Sequence, residues 1–224
     1  MEQLPFNFEH RPTLDREDFL VTSGNVEAVK MLDSYPSWPS HAIIIYGANG
    51  CGKTHLAHVF VKKTGGKTPL ISAADLTAEQ VPNLLAKSGN LVVEDMETLK
   101  DEEALLHLYN YAKETGSHLL MTSEVAPADL AIKLPDLSSR LLATPAIRIG
   151  NPDDAFIKAL LVKLFADRQL LIGEEAIDYA IKNMERSFKG AGDLVAAADK
   201  LSLAKQKAIT IPLLREILKS NSSI

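Results

Sequence analysis

The chain has 224 residues, 46% apolar and 24% charged, enough to bury one large domain or a domain with a small satellite. Its 24 basic and 29 acidic residues leave a net charge of −5, which argues against broad, charge-driven binding to nucleic acid. Cys51 is the sole cysteine, so no intrachain disulfide can form and a reducing, cytoplasmic setting is expected. No apolar run nears the ~20 residues of a membrane span, and the N-terminus lacks a signal-peptide core, so no membrane role is expected.

Residues 1–13 show no helical or strand period and read as a tail. Within it, Gln3-Leu4-Pro5-Phe6-Asn7-Phe8 places apolar side chains at 4, 6 and 8, which an extended peptide shows to one face. That suits either a first strand packing on its own domain or a peptide that docks on a partner. Phe19-Leu20-Val21 is a short apolar patch. Asn25 to Leu32 has Val26, Val29 and Leu32 at helical spacing, and Tyr35-Pro36-Ser37-Trp38-Pro39 reads as a connector.

Residues 43–54 carry the strongest signal. The β-branched run Ile43-Ile44-Ile45 ends at Tyr46, and G-x-x-x-x-G-K-T runs complete from Gly47 to Thr54. Leu56, Val59 and Phe60 then give an amphipathic helix, stopped by Gly65-Gly66. Strand, glycine loop and helix form the context a P-loop requires. The backbone amides of Gly47, Asn49, Gly50, Cys51 and Gly52 would cradle phosphate oxygens. Lys53 would reach the β- and γ-phosphates, and the Thr54 hydroxyl would ligate Mg²⁺. The expected ligand is ADP or ATP with Mg²⁺. Cys51, His55 and His58 have a metal-like spacing, but Cys51 lies inside a loop whose backbone must wrap a phosphate, which argues against a metal.

Leu70-Ile71 is a second strand. Thr77-Ala78-Glu79-Gln80 has capping-box spacing and predicts a helix to Lys87. Leu91-Val92-Val93 is a third strand ending in Glu94-Asp95, the acids a P-loop needs for Mg²⁺ and for water. Two frames stay open: Glu94 on the metal with Asp95 positioning water, or Asp95 on the metal with Met96 where an acid belongs. Asp101 to Thr115 predicts a helix stopped by Gly116. Leu119-Leu120-Met121 is a fourth strand, ending at Thr122-Ser123-Glu124, where the Ser123 hydroxyl could sense phosphate or orient water. Arg140 stands alone in the helical stretch Asp136–Leu142; it suits either a surface ion pair or neutralisation of a transferring phosphoryl group. Ala146 to Ile149 is a fifth strand.

Strands alternating with helices predict an α/β fold with a five-stranded parallel sheet. Beyond Asn151-Pro152 the pattern turns helical, over Asp153–Arg168, Glu174–Met184, Gly192–Lys207 and from Pro212 to Leu218. The expected organisation is a tail at 1–13, a nucleotide-binding subdomain at 14–150, and a helical lid at 151–224.

Together these pieces resemble the AAA+ P-loop ATPase module of the replication initiator DnaA, and among its relatives the short Hda-type regulators. Asp18-Phe19-Leu20-Val21 followed by Asn25 resembles the segment lining the adenine site. Gly52-Lys53-Thr54-His55-Leu56 matches the family's G-K-T-H-L, and Met121-Thr122-Ser123-Glu124 resembles its sensor 1 strand. Ser139-Arg140-Leu141 resembles the segment presenting an arginine finger, and Asn151-Pro152-Asp153 the start of the lid. The resemblance implies that Gln3, Leu4, Phe6 and Phe8 dock on the DNA polymerase sliding clamp. It implies that Arg140 enters the ATP site of an adjacent DnaA-ATP, as a negative regulator of initiation. A homodimer is compatible with it. Sequence-specific DNA reading is not expected, because the chain stops before the initiator's helix-turn-helix domain.

Two departures qualify the likeness. Glu94 replaces the family's Mg²⁺-binding aspartate, and Gly192 stands where the aligned lid segment should carry the sensor 2 arginine; Arg186 and Lys189 lie upstream. Weak intrinsic hydrolysis is therefore expected. The rival readings are an autonomous AAA+ ATPase such as a helicase loader, a small P-loop kinase, and an adaptor with a vestigial nucleotide site.

Overall fold

A computed structural model describes residues 21–86, 88–150, 153–205 and 207–221. Gln3, Leu4, Phe6, Phe8, Phe19 and Leu20 lie outside them. The expected sheet is present: β1 (Ala42–Tyr46), β2 (Leu70–Ser72), β3 (Asn90–Glu94), β4 (His118–Ser123) and β5 (Ala146–Arg148). All pair in parallel, in the order β2-β3-β4-β1-β5. β1 thus sits between β4 and β5, with its tip level with Ser123.

The β period of two divides the core. Ile43 and Ile45 pack on one face with Leu56 and Phe60 of α2 (Lys53–Lys63) and Val29 and Leu32 of α1 (Val26–Asp33). Ile44 faces the other way, towards α3 (Val81–Ala86), α4 (Glu102–Thr115) and α5 (Pro135–Ala143), through Leu85, Leu105, Leu108, Leu137 and Leu141. Both faces are covered, so β3 is buried along its whole length. Asp101 caps α4 by accepting from the Ala104 N–H at 2.9 Å, and Gly116 ends it.

α6 (Asp154–Asp167), α7 (Glu174–Asn183), α8 (Phe188–Lys205) and α9 (Ile211–Asn221) surround a separate apolar cluster centred on Ile157, Leu161, Phe165, Val195 and Leu214. Residues 209–211 form no strand beyond a single bridge between Ile172 and Ile209.

Two boundaries differ from the pattern reading. The Thr77 capping box does not form: the Gln80 N–H bonds back to the Thr77 carbonyl at 3.2 Å, so a tight 78–80 turn satisfies the amide its hydroxyl would have taken, and α3 begins only at Val81. α8 begins one turn before the expected Gly192, because the Ser187 hydroxyl accepts from the Gly190 N–H at 2.8 Å and its carbonyl from the Ala191 N–H at 3.0 Å.

Candidate functional site

The Gly47–Thr54 loop joins the tip of β1 to α2 and is anchored to both neighbouring strands. The Gly47 N–H donates to the Ser123 carbonyl at 3.1 Å, and the Ile149 N–H to the Tyr46 carbonyl at 2.7 Å. A Cβ on Gly47 would lie 2.5 Å from the Ile149 oxygen, so the tight passage admits only glycine. Gly50 sits at φ 73°, and a Cβ there would meet Ser187 at 3.0 Å and Lys189 at 3.1 Å. The lid therefore rests on the loop, and the Phe188 N–H donates to the Gly50 carbonyl at 2.9 Å.

A cleft of about 490 Å³ opens between loop, sheet edge and lid. Asn49, Gly50, Gly52, Lys53 and Thr54 form its floor; Asp95, Glu97, Thr98 and Glu124 form its acidic side; Phe188 and Lys189 form its lid side. Lys53 is buried, and its Nζ donates to the carbonyls of Gly47 at 2.8 Å and Ala48 at 3.2 Å. α2 brings its amino end, which no side chain caps, to the same cleft through Lys53 and Thr54.

The two acids after β3 separate by position. Glu94 ends the strand and is buried, with the Thr54 hydroxyl donating to its carboxyl. Burial pushes its pKa above the ordinary value; the Thr54 bond and nearby Lys53 oppose this. Its Oε1 is buried with no hydrogen-bond partner. Asp95 takes the left-handed conformation at φ 57°, which turns it out of the strand to line the cleft. An orphaned carboxylate oxygen beside a threonine hydroxyl fits a divalent cation, so Thr54 and Glu94 would be the side chains to hold Mg²⁺ were it bound with a phosphate ligand. Among the described residues no group of three His, Cys, Asp or Glu side chains could hold a metal alone.

The other expected residues lie further from the cleft. Cys51 is 1% exposed with its side chain in the apolar core, where burial pushes the thiol pKa up, so only its backbone can serve a ligand. His55 is half-buried on α2 outside the cleft lining, and Val21 is exposed away from it. Ser123 is fully buried, and its hydroxyl donates to Glu97 Oε2 at 3.2 Å rather than lining the cleft. Arg140 lies outside the cleft on α5, where its Nη2 pairs with Asp136 Oδ2 at 3.1 Å and its Nε is buried without a partner.

Glu97 and Lys189 were missed as cleft residues. Glu97 hides behind the acid pair in a turn no periodicity marks. Lys189 lies upstream of the expected helix start at Gly192; with the helix starting at Phe188, its first turn reaches the cleft. Gly192 is not among the lining residues, and Arg186 pairs with Asp154 at 3.2 Å. The lid cation at the cleft is thus Lys189.

A P-loop on a five-stranded parallel sheet, closed by a four-helix lid, defines an AAA+ fold. Residues 153–218 match the family described as "Hda, lid domain". An uncharacterized protein of Haemophilus influenzae is 28% identical over 186 residues, covering 78% of this chain and 80% of that protein. The DnaA of Flavobacterium psychrophilum is 24% identical over 201 residues, covering 79% of this chain but only 41% of the initiator, so the chain spans less than half of that relative. Domain III of Thermotoga maritima DnaA superposes with a TM-score of 0.80 at 19% identity, covering 94% of this chain and 97% of that one. AMPPCP-bound DnaA from Aquifex aeolicus gives 0.73 at 20% identity, over 95% of this chain and 70% of that one. The chain thus has the AAA+ fold seen in DnaA domain III, and its residues 153–218 are similar to the lid domain of Hda.

Proposed function

We propose that this protein is a nucleotide-binding negative regulator of replication initiation that stimulates hydrolysis of ATP bound to DnaA. The observation that carries the reading is the position of Arg140. It lies on α5 outside the cleft lining of its own chain, half-buried, with its Nη2 in an i,i+4 pair with the exposed Asp136. Such a surface pair is worth ~0.5 kcal/mol, so a neighbour's phosphate can take the guanidinium over. An arginine supplied in trans neutralises charge on a transferring phosphoryl group and raises hydrolysis by about 10³–10⁵-fold.

In this reading the protein's own cleft binds ADP or ATP with Mg²⁺, as an assembly ligand more than as fuel. The AMPPCP held by a structurally similar initiator supports that ligand class. Asn49, Gly50 and Gly52 present backbone amides to the phosphates, and Lys53 leaves the loop carbonyls to reach them. Thr54 and Glu94 would hold the cation, which would screen the phosphate charge, and Asp95 would orient water. Lys189 closes on the phosphates from the lid, so nucleotide fixes the angle between residues 14–150 and 151–224. The tail at 1–13 docks on the sliding clamp through Gln3, Leu4, Phe6 and Phe8. Tethering raises the local concentration near clamp-loaded DNA without base reading.

The test mixes the protein with clamp-loaded DNA and DnaA-ATP and follows phosphate release. Wild type should accelerate it and Arg140→Ala should not. Acceleration by Arg140→Ala equal to wild type would sink the proposal, and vigorous hydrolysis by the protein alone would favour an autonomous ATPase such as a helicase loader.

A further inference from the structure

Residues 124–134 connect the end of β4 to the start of α5, the helix that carries Arg140. Both ends of this connection are held by carboxylates from the stretch after β3, Glu97 in its turn and Glu102 at the start of α4. At the near end, Glu97 Oε2 accepts from the Ser123 hydroxyl at 3.2 Å and from the Glu124 N–H at 3.0 Å. At the far end, the Glu102 carboxylate accepts from the Lys133 N–H at 3.0 Å and from the Leu134 N–H at 2.6 Å. Glu102 lies in the first turn of α4, whereas Leu134 is the N-cap of α5 and has no side-chain acceptor of its own. A carboxylate accepting two backbone N–H groups is a charge-assisted, bidentate contact, among the stronger polar ties available. It also sets negative charge at the positive end of α5.

The same turn reaches the nucleotide cleft: Asp95, Glu97 and Thr98 line it. We infer that Glu97 and Glu102 are positioning residues for Arg140, forming a two-point tie through which the 95–102 segment fixes α5 relative to the protein's own nucleotide cleft. The inference rests on the proposed role of Arg140. Of the two, Glu102 gives the cleaner test because it does not line the cleft. Thr144 holds the other end of α5: its hydroxyl donates to the Arg140 carbonyl at 2.8 Å and meets the Tyr109 hydroxyl at 3.1 Å. Losing Glu102 therefore frees one end of α5 while the other stays fixed. The result should be a tilt of α5, with the sheet intact. Displacing a catalytic group by about 1 Å can cost on the order of 10²-fold in rate.

The experiment compares wild type, Glu102→Ala, Glu102→Gln and Arg140→Ala on clamp-loaded DNA with DnaA-ATP. Nucleotide affinity and amide hydrogen exchange are measured on the same samples. Glu102→Ala should lower the maximal stimulated rate by about tenfold or more, with little change in the concentration giving half-maximal effect and unchanged nucleotide affinity. The amides of Lys133, Leu134 and residues 136–138 should lose protection while β1 keeps it. Glu102→Gln, which keeps one acceptor oxygen in place, should recover part of both. Full stimulation by Glu102→Ala, or loss of protection spread over the sheet, overturns the inference. If wild type itself fails to stimulate, the proposed function falls, and unchanged protection at those amides in Glu102→Ala would still refute the tie.

Discussion

The Phe188 N–H of the lid donates to the Gly50 carbonyl of the P-loop at 2.9 Å. This bond ties the first residue of α8 to the middle of the phosphate loop, and it places Lys189 beside Gly50 at the cleft. A cation on the lid and a glycine loop on the sheet then face one space. A ligand with phosphate groups would bind both and hold the lid down.

Lys189→Ala should weaken binding of ADP and ATP by about tenfold or more, the range for losing one charge-assisted hydrogen bond. Adenosine affinity should hardly change, since no phosphate is lost with it. Titration calorimetry with the three ligands separates these outcomes; equal losses for adenosine and ADP would place Lys189 away from the phosphates.

Gly192 makes the opposite prediction. A Cβ at this position meets nothing within 4 Å, and the residue lies inside α8. Gly192→Ala should therefore stabilise the helix by about 0.5–1 kcal/mol. In a chain of this size that corresponds to a rise in Tm of roughly 2–4 °C per kcal/mol. Nucleotide affinity should stay at the wild-type level. A drop in Tm would mean that glycine there serves close packing.

The sheet was legible because its strands are short β-branched or leucine-rich runs between turn residues, and the P-loop because its glycines sit at fixed offsets. The acid pair was legible as a pair, but its frame was not. Which carboxylate faces Thr54 depends on where β3 ends and on the left-handed turn at Asp95, and neither leaves a mark in composition. The start of α8 was legible only to within a turn: two glycines lie within three residues of Lys189, and the Ser187 cap that starts the helix before them bonds the backbone three residues on. Glu97 and Glu102 act across 26 to 32 residues of chain, a separation no window of periodicity spans.

The N-terminal segment carries the docking prediction. Gln3→Ala together with Leu4→Ala should abolish retention of the protein on immobilised sliding clamp. Stimulation of DnaA-ATP hydrolysis should fall with it, because the tether supplies local concentration. Raising free protein concentration should partly restore the rate. Unchanged clamp retention in the double variant removes the tether from the mechanism.

Glu94 should make cation binding and stability respond to pH in opposite directions. Burial raises its pKa above the ordinary 4.5, so between 4.5 and the folded value the native state holds a proton that the unfolded chain has lost. Stability without cation should therefore fall as pH rises through that window, and be highest below it. Mg²⁺ needs the deprotonated carboxylate, so affinity for Mg²⁺-nucleotide should rise over the same window. Glu94→Gln keeps the shape and removes the charge. It should flatten both profiles, raise Tm near neutral pH without cation by a few degrees, and weaken Mg²⁺-dependent nucleotide binding. Thermal melts across pH with and without Mg²⁺ read all of this. If Glu94→Gln leaves the Mg²⁺ dependence intact while Asp95→Asn removes it, the metal ligand is Asp95 and the frame is the other one.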